Sequence, residues 1–270
     1  MARPRPRRKF DALSIAGAVA LLALVLAAWS VVTATTAIPT FVIPTPASVW
    51  RSLIAGFSAP LDSPAGWWLH IGVTLQEALS GLAAGSVLGL GIGLLIAETR
   101  VLEGVLMPHI IAIQCLPKVA IAPLLVIWFG FGSTSKMLLA FIMSFFPVLV
   151  NSIAGFAAAD SGRLELVRSL NASRWQTFRL VRWPCALPFV YAGFQLAVVQ
   201  SLLGAIVGEL VSGQAGMGVV LATMTANFDT AGMFAALGIL SVIGVVQYFL
   251  LALLRRRLLF WSDVSERTVV

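Results

Sequence analysis

The stretch that decides the fold is ELVRSLNASRWQTFRLVRWPCALP, residues 165–188. It is polar and arginine-rich, and long apolar runs flank it on both sides. The chain around it has 270 residues, of which 59% are hydrophobic and 11% charged. Its mean hydropathy is +0.97. Soluble domains carry about 25% charged residues, so this composition belongs to an integral membrane protein. Loops between membrane spans are usually short. This one holds two amphipathic half-helices with a helix-breaking turn between them, which reads as a docking surface for a soluble partner.

Asp160 and Ser161 are N-cap residues for the first short helix. Leu164, Val167 and Leu170 recur at i, i+3 and i+6 as an apolar stripe, with Glu165, Arg168 and Ser169 off it. Asn171 stands where a left-handed residue would close that helix, a conformation Asn tolerates second only to Gly. Ser173-Arg174-Trp175-Gln176 has the form of a capping box. A second helix follows, with Trp175, Phe178 and Val181 on one face and Arg174, Arg179 and Arg182 elsewhere. Pro184 and Pro188 mark the return to the membrane. General membrane physics offers a second reading, an interfacial hairpin whose aromatics dip into lipid while its arginines meet phosphates.

Outward from this segment the chain reads as an all-α integral membrane protein with six transmembrane helices. Span 1 covers about 12–33. The basic stretch MARPRPRRKF precedes it, and Arg7-Arg8-Lys9-Phe10 resembles a weak twin-arginine signal. The apolar run is about 20 residues, longer than a secretory signal core, so an uncleaved first helix is expected. A proline-rich loop, 34–66, contains a short interfacial helix at 48–57. Span 2 covers 69–97. Its Gly81, Gly85, Gly89, Gly91 and Gly93, with Ala83 and Ala84, make a face for close helix approach. Span 3, within 104–130, contains His109, Pro117, Lys118 and Pro123 and is expected to be broken. GFGSTSK (130–136) is an outside turn, followed by span 4 at 137–159. An inside segment at 160–186, span 5 at 187–211, an outside SGQAGMG region and span 6 at 232–254 complete the chain. The organisation is a 1–66 tail, first helix and loop, a 67–257 core, and a 258–270 tail.

With six spans both termini lie inside, and the inside segments then hold 15 of the 18 Lys and Arg residues. That matches the positive-inside rule. Because these charges fall in separate inter-span segments, no nucleic-acid surface is read from the net charge of +7.

An ionisable residue at membrane depth costs roughly 2.5–3.5 kcal/mol on insertion scales, so each needs a reason. Glu77 is expected near the outer interface, solvated or paired at the headgroups. Lys118, beside Pro117, has two open readings: attracting an anionic substrate, or snorkelling towards an interface or a carboxylate. Glu209 is a gate or a structural partner for backbone amides in the 212–218 region. Gln114, Asn151, Gln195 and Gln200 are neutral helix–helix contacts, with Gln195 and Gln200 the stronger pathway candidates. The Met217 region is a candidate apolar outer gate. Two histidines, His70 and His109, do not make a metal site. Cys115 and Cys185 are read as unpaired. The chain has no GxxxxGK[ST] phosphate loop, no HExxH and no GxSxG, so no catalytic set is expected.

The segment resembles the cytoplasmic loop of ABC importer permeases. Their pattern is Glu-Ala-Ala, three residues, Gly, nine residues, Ile, any residue, Leu-Pro. Here those positions hold Glu165-Leu166-Val167, Asn171, and Val181-Arg182-Trp183-Pro184, with matching spacing. Leu166, Val167, Asn171 and Trp183 depart from the pattern. Over 69–257, the stretches LPKVAIAPLLVIWFGFGSTSK (116–136), FFPVLVNSIAG (145–155), SLNASRWQTFRLV (169–181) and Glu209 with Gly216-Met217-Gly218 are similar to the nitrate/sulfonate/taurine/bicarbonate branch. That branch includes permeases for pyrimidine vitamin precursors and aromatic acids.

The resemblance implies a bacterial inner-membrane permease homodimer on two ATP-binding subunits, with a periplasmic binding protein delivering a small anionic or heteroaromatic solute. ATP and Mg would be bound by the partner ATPase. Glu165, Arg168, Ser169, Leu170, Asn171 and Ala172 would face the ATPase through a coupling helix. Gln114, Lys118, Gln195, Gln200 and Glu209 would lie on the translocation pathway. The alternative is an ion-coupled secondary transporter or channel, which would need charged coupling residues within the bundle and often two internal halves.

Overall fold

A computed structural model describes residues 12–36 and 39–258, apart from the side chains of 12–15, 100 and 256–258. The basic N-terminal stretch and all but the first residue of the 258–270 tail lie outside the described residues. Described residues form helices and connecting turns, with no strand among them. The helices are α1 (Ala12–Thr35), α2 (Pro46–Ser58), α3 (Trp67–Ala97), α4 (Arg100–Gln114), α5 (Ala122–Phe129), α6 (Ser133–Ala157), α7 (Ser161–Ser169), α8 (Arg174–Thr177), α9 (Trp183–Ser212), α10 (Met217–Ala226) and α11 (Thr230–Leu258). Five helical stretches are long and apolar enough to cross a membrane, and α4 with α5 forms a sixth crossing bent by 77°.

The core is α6 held between α3 and α9 by glycines. A Cβ on Gly81 would stand 2.5 Å from the Ala140 Cβ, and one on Gly93 2.6 Å from the Ser152 Cβ. A Cβ on Gly85 would collide with the Ser144 hydroxyl, and one on Gly89 would stand 2.8 Å from the Phe145 carbonyl. Spaced every four residues, these glycines let the two backbones approach without hydrophobic side chains between them. The Ser144 hydroxyl uses that proximity to donate to the Gly81 carbonyl across 3.2 Å. Gly91 meets nothing within 4 Å, and Ala83 and Ala84 are exposed. Those three are therefore off the seam, because only the i+4 series stays on one side of the helix.

The order of these contacts fixes direction. Rising numbers on α3 meet rising numbers on α6, so the two helices are parallel. On α9 the order reverses: Gly193 approaches Asn151, Gly204 approaches Ala140 and Gly208 approaches Lys136. Because α3 and α6 are parallel, the chain between them must travel from one end of the bundle to the other. The α4–α5 pair is therefore a broken span and not a re-entrant loop. Pro117, followed by a 3₁₀ turn at Lys118–Ile121, makes the break where proline removes a donor from the helical ladder.

In α11, Gly244 meets Leu202, Tyr248 meets Gln195 and Arg255 lies over Tyr191, so α11 is antiparallel to α9. Trp29 of α1 donates to the Pro44 carbonyl and packs on Phe234. The described end of α11 thus lies at the end of the bundle that carries α7 and α8, called here the hairpin end, and Trp29 lies at the opposite end.

One sequence expectation changes. Pro184 and Pro188, expected to mark the return to the membrane after a separate second short helix, lie inside one continuous helix. α8, a π turn at Phe178–Arg182 and α9 run on as one 39-residue helix. The widened turn sits immediately before Pro184 and makes room for its ring against the preceding turn. The outside region after span 5 also contains a helix of its own, α10, in a stretch to which the sequence assigns no element.

In detergent, Gly85→Leu should lower the thermal midpoint of the purified protein, through overpacking of about 1–3 kcal/mol or more. Gly91→Leu should leave it unchanged, because open space surrounds that position.

Candidate functional site

The α7–α8 hairpin is built by two reciprocal caps. α7 ends on Leu170, and Asn171 adopts φ 54°. The Asn171 N–H donates to the Arg168 carbonyl at 3.0 Å and the Ala172 N–H to the Val167 carbonyl at 3.0 Å. That pair of bonds is a Schellman closure, with Asn in the left-handed place usually held by Gly. Two residues later Ser173 opens the next helix. Its hydroxyl accepts from the Gln176 N–H at 3.2 Å, and its own N–H donates to the Gln176 side chain at 2.7 Å. Asp160 occupies the N-cap place of α7 but makes no side-chain capping bond.

Most of the hairpin's polar surface is open. Glu165, Arg168, Ser169, Leu170 and Asn171 are exposed and Ala172 is half-buried. The expected apolar stripe holds at Leu164 and Val167, which are half-buried. It fails at Leu170, because the helix ends before that residue could complete the turn. Leu170 is 72% exposed instead, with Leu166 61% exposed one turn back. These two leucines form a small apolar knob on an otherwise polar tip.

The base of the hairpin is rigid. Phe178 and Trp183 pack with Phe156 of α6 at ring separations near 6.0 Å, and Trp175 stacks on Phe178 at 5.7 Å. Trp183, a departure from the loop pattern, thus fills a cluster between α6 and α9. Arg182 forms an ion pair with Glu98 at 2.8 Å, joining the hairpin to the α3–α4 turn.

A second constellation lies at the far end of the bundle. His70, Thr74 and Glu77 line one face of α3, at i, i+4 and i+7. His70 Nε2 donates to the Pro64 carbonyl and Nδ1 accepts from the Gly216 N–H at 2.9 Å, so the ring is held as the neutral Nε2–H tautomer. The Thr74 hydroxyl donates to Glu209 Oε1 at 2.6 Å and accepts from the Met217 N–H at 2.8 Å. Glu209 Oε2 accepts from the Gly218 N–H at 2.6 Å. Its carboxylate therefore caps the first turn of α10, where unpaired amides and the helix dipole favour an anion. Gly216, at φ 119°, and Gly218 lie against this carboxylate with no room for a side chain.

Of the two expectations for Glu77, solvated or paired, the structure shows the paired one, inside the protein. Glu77 is 1% exposed, and Lys136, 4% exposed, stands 3.9 Å from its Oε1. Lys136 is correspondingly not in a solvated outside turn. It lies in the first turn of α6 and donates to the Phe131 carbonyl at 3.2 Å. Both carboxylates are buried because the α9–α10 loop folds down over α3. Met217 is likewise fully buried, in the core cluster with Trp67. The polar i, i+4, i+7 series on α3 was the sequence signal for this cluster, and the sequence reading did not use it.

The pathway candidates are dispersed. Gln114 and Lys118 flank the break in the third span, and the Lys118 ammonium lies over the Phe146 ring, 5.0 Å from its centre. Gln195 donates to the Tyr248 hydroxyl at 3.2 Å, and Gln200 is half-buried on α9. Among the described residues no hydrogen bond joins any two of Gln114, Lys118, Gln195, Gln200 and Glu209. No group of three or more metal-ligating side chains occurs among the described residues.

Thr74→Val should strand the Met217 N–H and one Glu209 oxygen, lowering stability by about 1–3 kcal/mol per stranded group. Thr74→Ser should retain wild-type stability. Thermal melts of the detergent-solubilised protein distinguish the two.

Residues 85–260 match the family described as binding-protein-dependent transport system inner membrane component. The chain is 34% identical over 264 residues to the riboflavin transport system permease protein RibX of Chloroflexus aurantiacus, covering 96% of this chain and 95% of that one. It is 32% identical over 195 residues to the formylaminopyrimidine transport permease protein ThiX of Halalkalibacterium halodurans, covering 72% and 78%. To the taurine transport system permease protein TauC of Escherichia coli it is 29% identical over 245 residues, covering 90% and 88%. Its fold resembles a chain of the MetNI methionine ABC transporter in an inward-facing conformation, with TM-score 0.62, 18% identity, and coverage of 71% and 97%. The chain belongs to the binding-protein-dependent transport system inner membrane components: it is a multi-pass inner-membrane permease subunit of an ABC importer, a transport component working with an ATPase and a substrate-binding protein and not itself an enzyme.

Proposed function

We propose that two copies of this chain form a homodimer on two ATP-binding subunits, with α7 as the coupling helix in a cleft of each ATPase. The carrying observation is the hairpin. A Schellman closure and a capping box fix its geometry, while its tip presents Glu165, Arg168, Ser169, Leu170 and Asn171 with an apolar knob at Leu166 and Leu170. An apolar knob ringed by polar groups fits a protein cleft better than a lipid headgroup layer. ATP and Mg bind to the partner. The hairpin end is cytoplasmic, as are both termini, in keeping with the basic residues concentrated there.

The cargo is a small solute, anionic or heteroaromatic, handed over by a periplasmic binding protein. The named cargoes of the relatives support that class. Alternating access follows when ATPase closure displaces α7, because α8 runs without a break into α9 and Arg182 grips the α3–α4 turn. The route runs past the break in span 3, with Gln114, Lys118, Gln195 and Gln200 as lining candidates. Glu209 serves that route from its margin by holding the α9–α10 loop.

Asn171→Val would place a β-branched residue in a left-handed conformation at a cost of about 1–2 kcal/mol, a roughly tenfold loss of the docked geometry. ATP-driven uptake in proteoliposomes should fall accordingly while the ATPase still co-purifies, and Asn171→Gly should restore it. Glu165→Arg should uncouple hydrolysis from uptake. Normal transport by both Asn171→Val and Glu165→Arg would remove α7 as the coupling element.

A further inference from the structure

We infer that Lys118 is a selectivity site at the middle of the membrane, placed to meet an oxyanion group (carboxylate, sulfonate or phosphate) on the transported solute. Its depth follows from its neighbour. Phe146, under the Lys118 ammonium at 5.0 Å, is thirteen residues into the 25-residue α6, about 20 Å along the helix at about 1.5 Å per residue. The cation therefore sits level with the midpoint of a crossing helix, too far from either end for its stem to reach an interface.

The charges around it leave it without an anion. Glu77 is taken by Lys136, and Glu209 by Thr74 and the Gly218 amide. Both carboxylates lie in the outer turns of the bundle, well away from Phe146. The partner found for the Lys118 ammonium among the described residues is the ring of Phe146 alone. A ring face attracts a cation without neutralising it. An ionisable group at this depth faces a cavity or a charged partner, and non-helical backbone is tolerated there only under the same condition. Both occur here together: the chain leaves helical geometry between Gln114 and Lys118, and Lys118 is half-buried with one side open. Two independent features thus call for a polar surface against the ammonium. Lysine presents a point charge with three donors, which suits an oxyanion of any shape and does not select planar groups.

This inference rests on the permease reading, and the test separates the two. Cys115 lies three residues before Lys118 and is exposed, so it serves as a native probe once Cys185 is replaced by Ser. The intact permease–ATPase complex in nanodiscs is treated with an anionic or a cationic water-soluble methanethiosulfonate reagent. The rate ratio, anionic over cationic, is compared with that of a free thiol. Wild type should favour the anionic reagent, and Lys118→Met should lower the ratio by about tenfold, as expected for one unit charge at close range in a partly desolvated site. Lys118→Arg should keep it. In the unsubstituted Lys118 protein, methanesulfonate should slow labelling by a neutral methanethiosulfonate, and uncharged dimethyl sulfone should not. That arm decides the matter even if Lys118→Met fails to assemble. Inert Cys115, an unchanged ratio, or equal protection by both probes overturns the site. Loss of the permease reading has a different signature: an intact complex that shows no ATP-driven uptake.

Discussion

The structure depends on how closely α6 can approach α3 and α9. Lipid supplies no hydrophobic drive between helices, so association rests on van der Waals contact and interhelical hydrogen bonds. Glycines at 81, 85, 89 and 93 on one side, and 193, 204 and 208 on the other, bring backbones together along α6. That contact sets the helix directions. The directions in turn oblige α4 and α5 to form a crossing, and the crossing brings Lys118 to the level of Phe146.

Around this core the two ends are held by different chemistry. At the far end a buried polar cluster links α3, α6, α9 and α10 through His70, Thr74, Glu77, Lys136 and Glu209. Buried charges survive there because each meets an opposite charge or a pair of donors. At the hairpin end, aromatic rings and the Arg182–Glu98 ion pair anchor an exposed tip. A capped turn and a continuous helix connect α7 to α9. The mechanical link is therefore a property of backbone geometry more than of any single side chain.

The departures from the usual loop pattern have physical counterparts. Asn171 supplies the left-handed turn in place of glycine. Trp183 fills a ring cluster where a leucine would leave space. Leu166 makes the tip more apolar and, with Leu170, forms the knob. Val167 faces the half-buried side of α7 and accepts the Schellman bond.

Much of this was legible in the sequence. Span count and the broken third span follow from hydropathy and proline placement. The left-handed Asn171 and the Ser173–Gln176 box are encoded within a few residues each, because caps are local hydrogen bonds. The sequence left three things open. It put Glu77 near the outer interface, solvated or paired, and Lys136 in an outside turn, because each sits near a span end and neither shows which distant group will meet it. It assigned no element where α10 forms, because ten residues after a glycine-rich turn are too few to announce themselves as a helix. It took Pro184 as the mark of re-entry into span 5, because only the π turn before it shows that one helix runs through that point. The sequence by itself determined which segments are long and apolar enough to cross a membrane and how the hairpin turn is capped. The tertiary structure alone decided which charges are paired. Pairing depends on contacts between residues more than 50 positions apart, such as Glu77 with Lys136 and Thr74 with Glu209, and only helix packing brings them together.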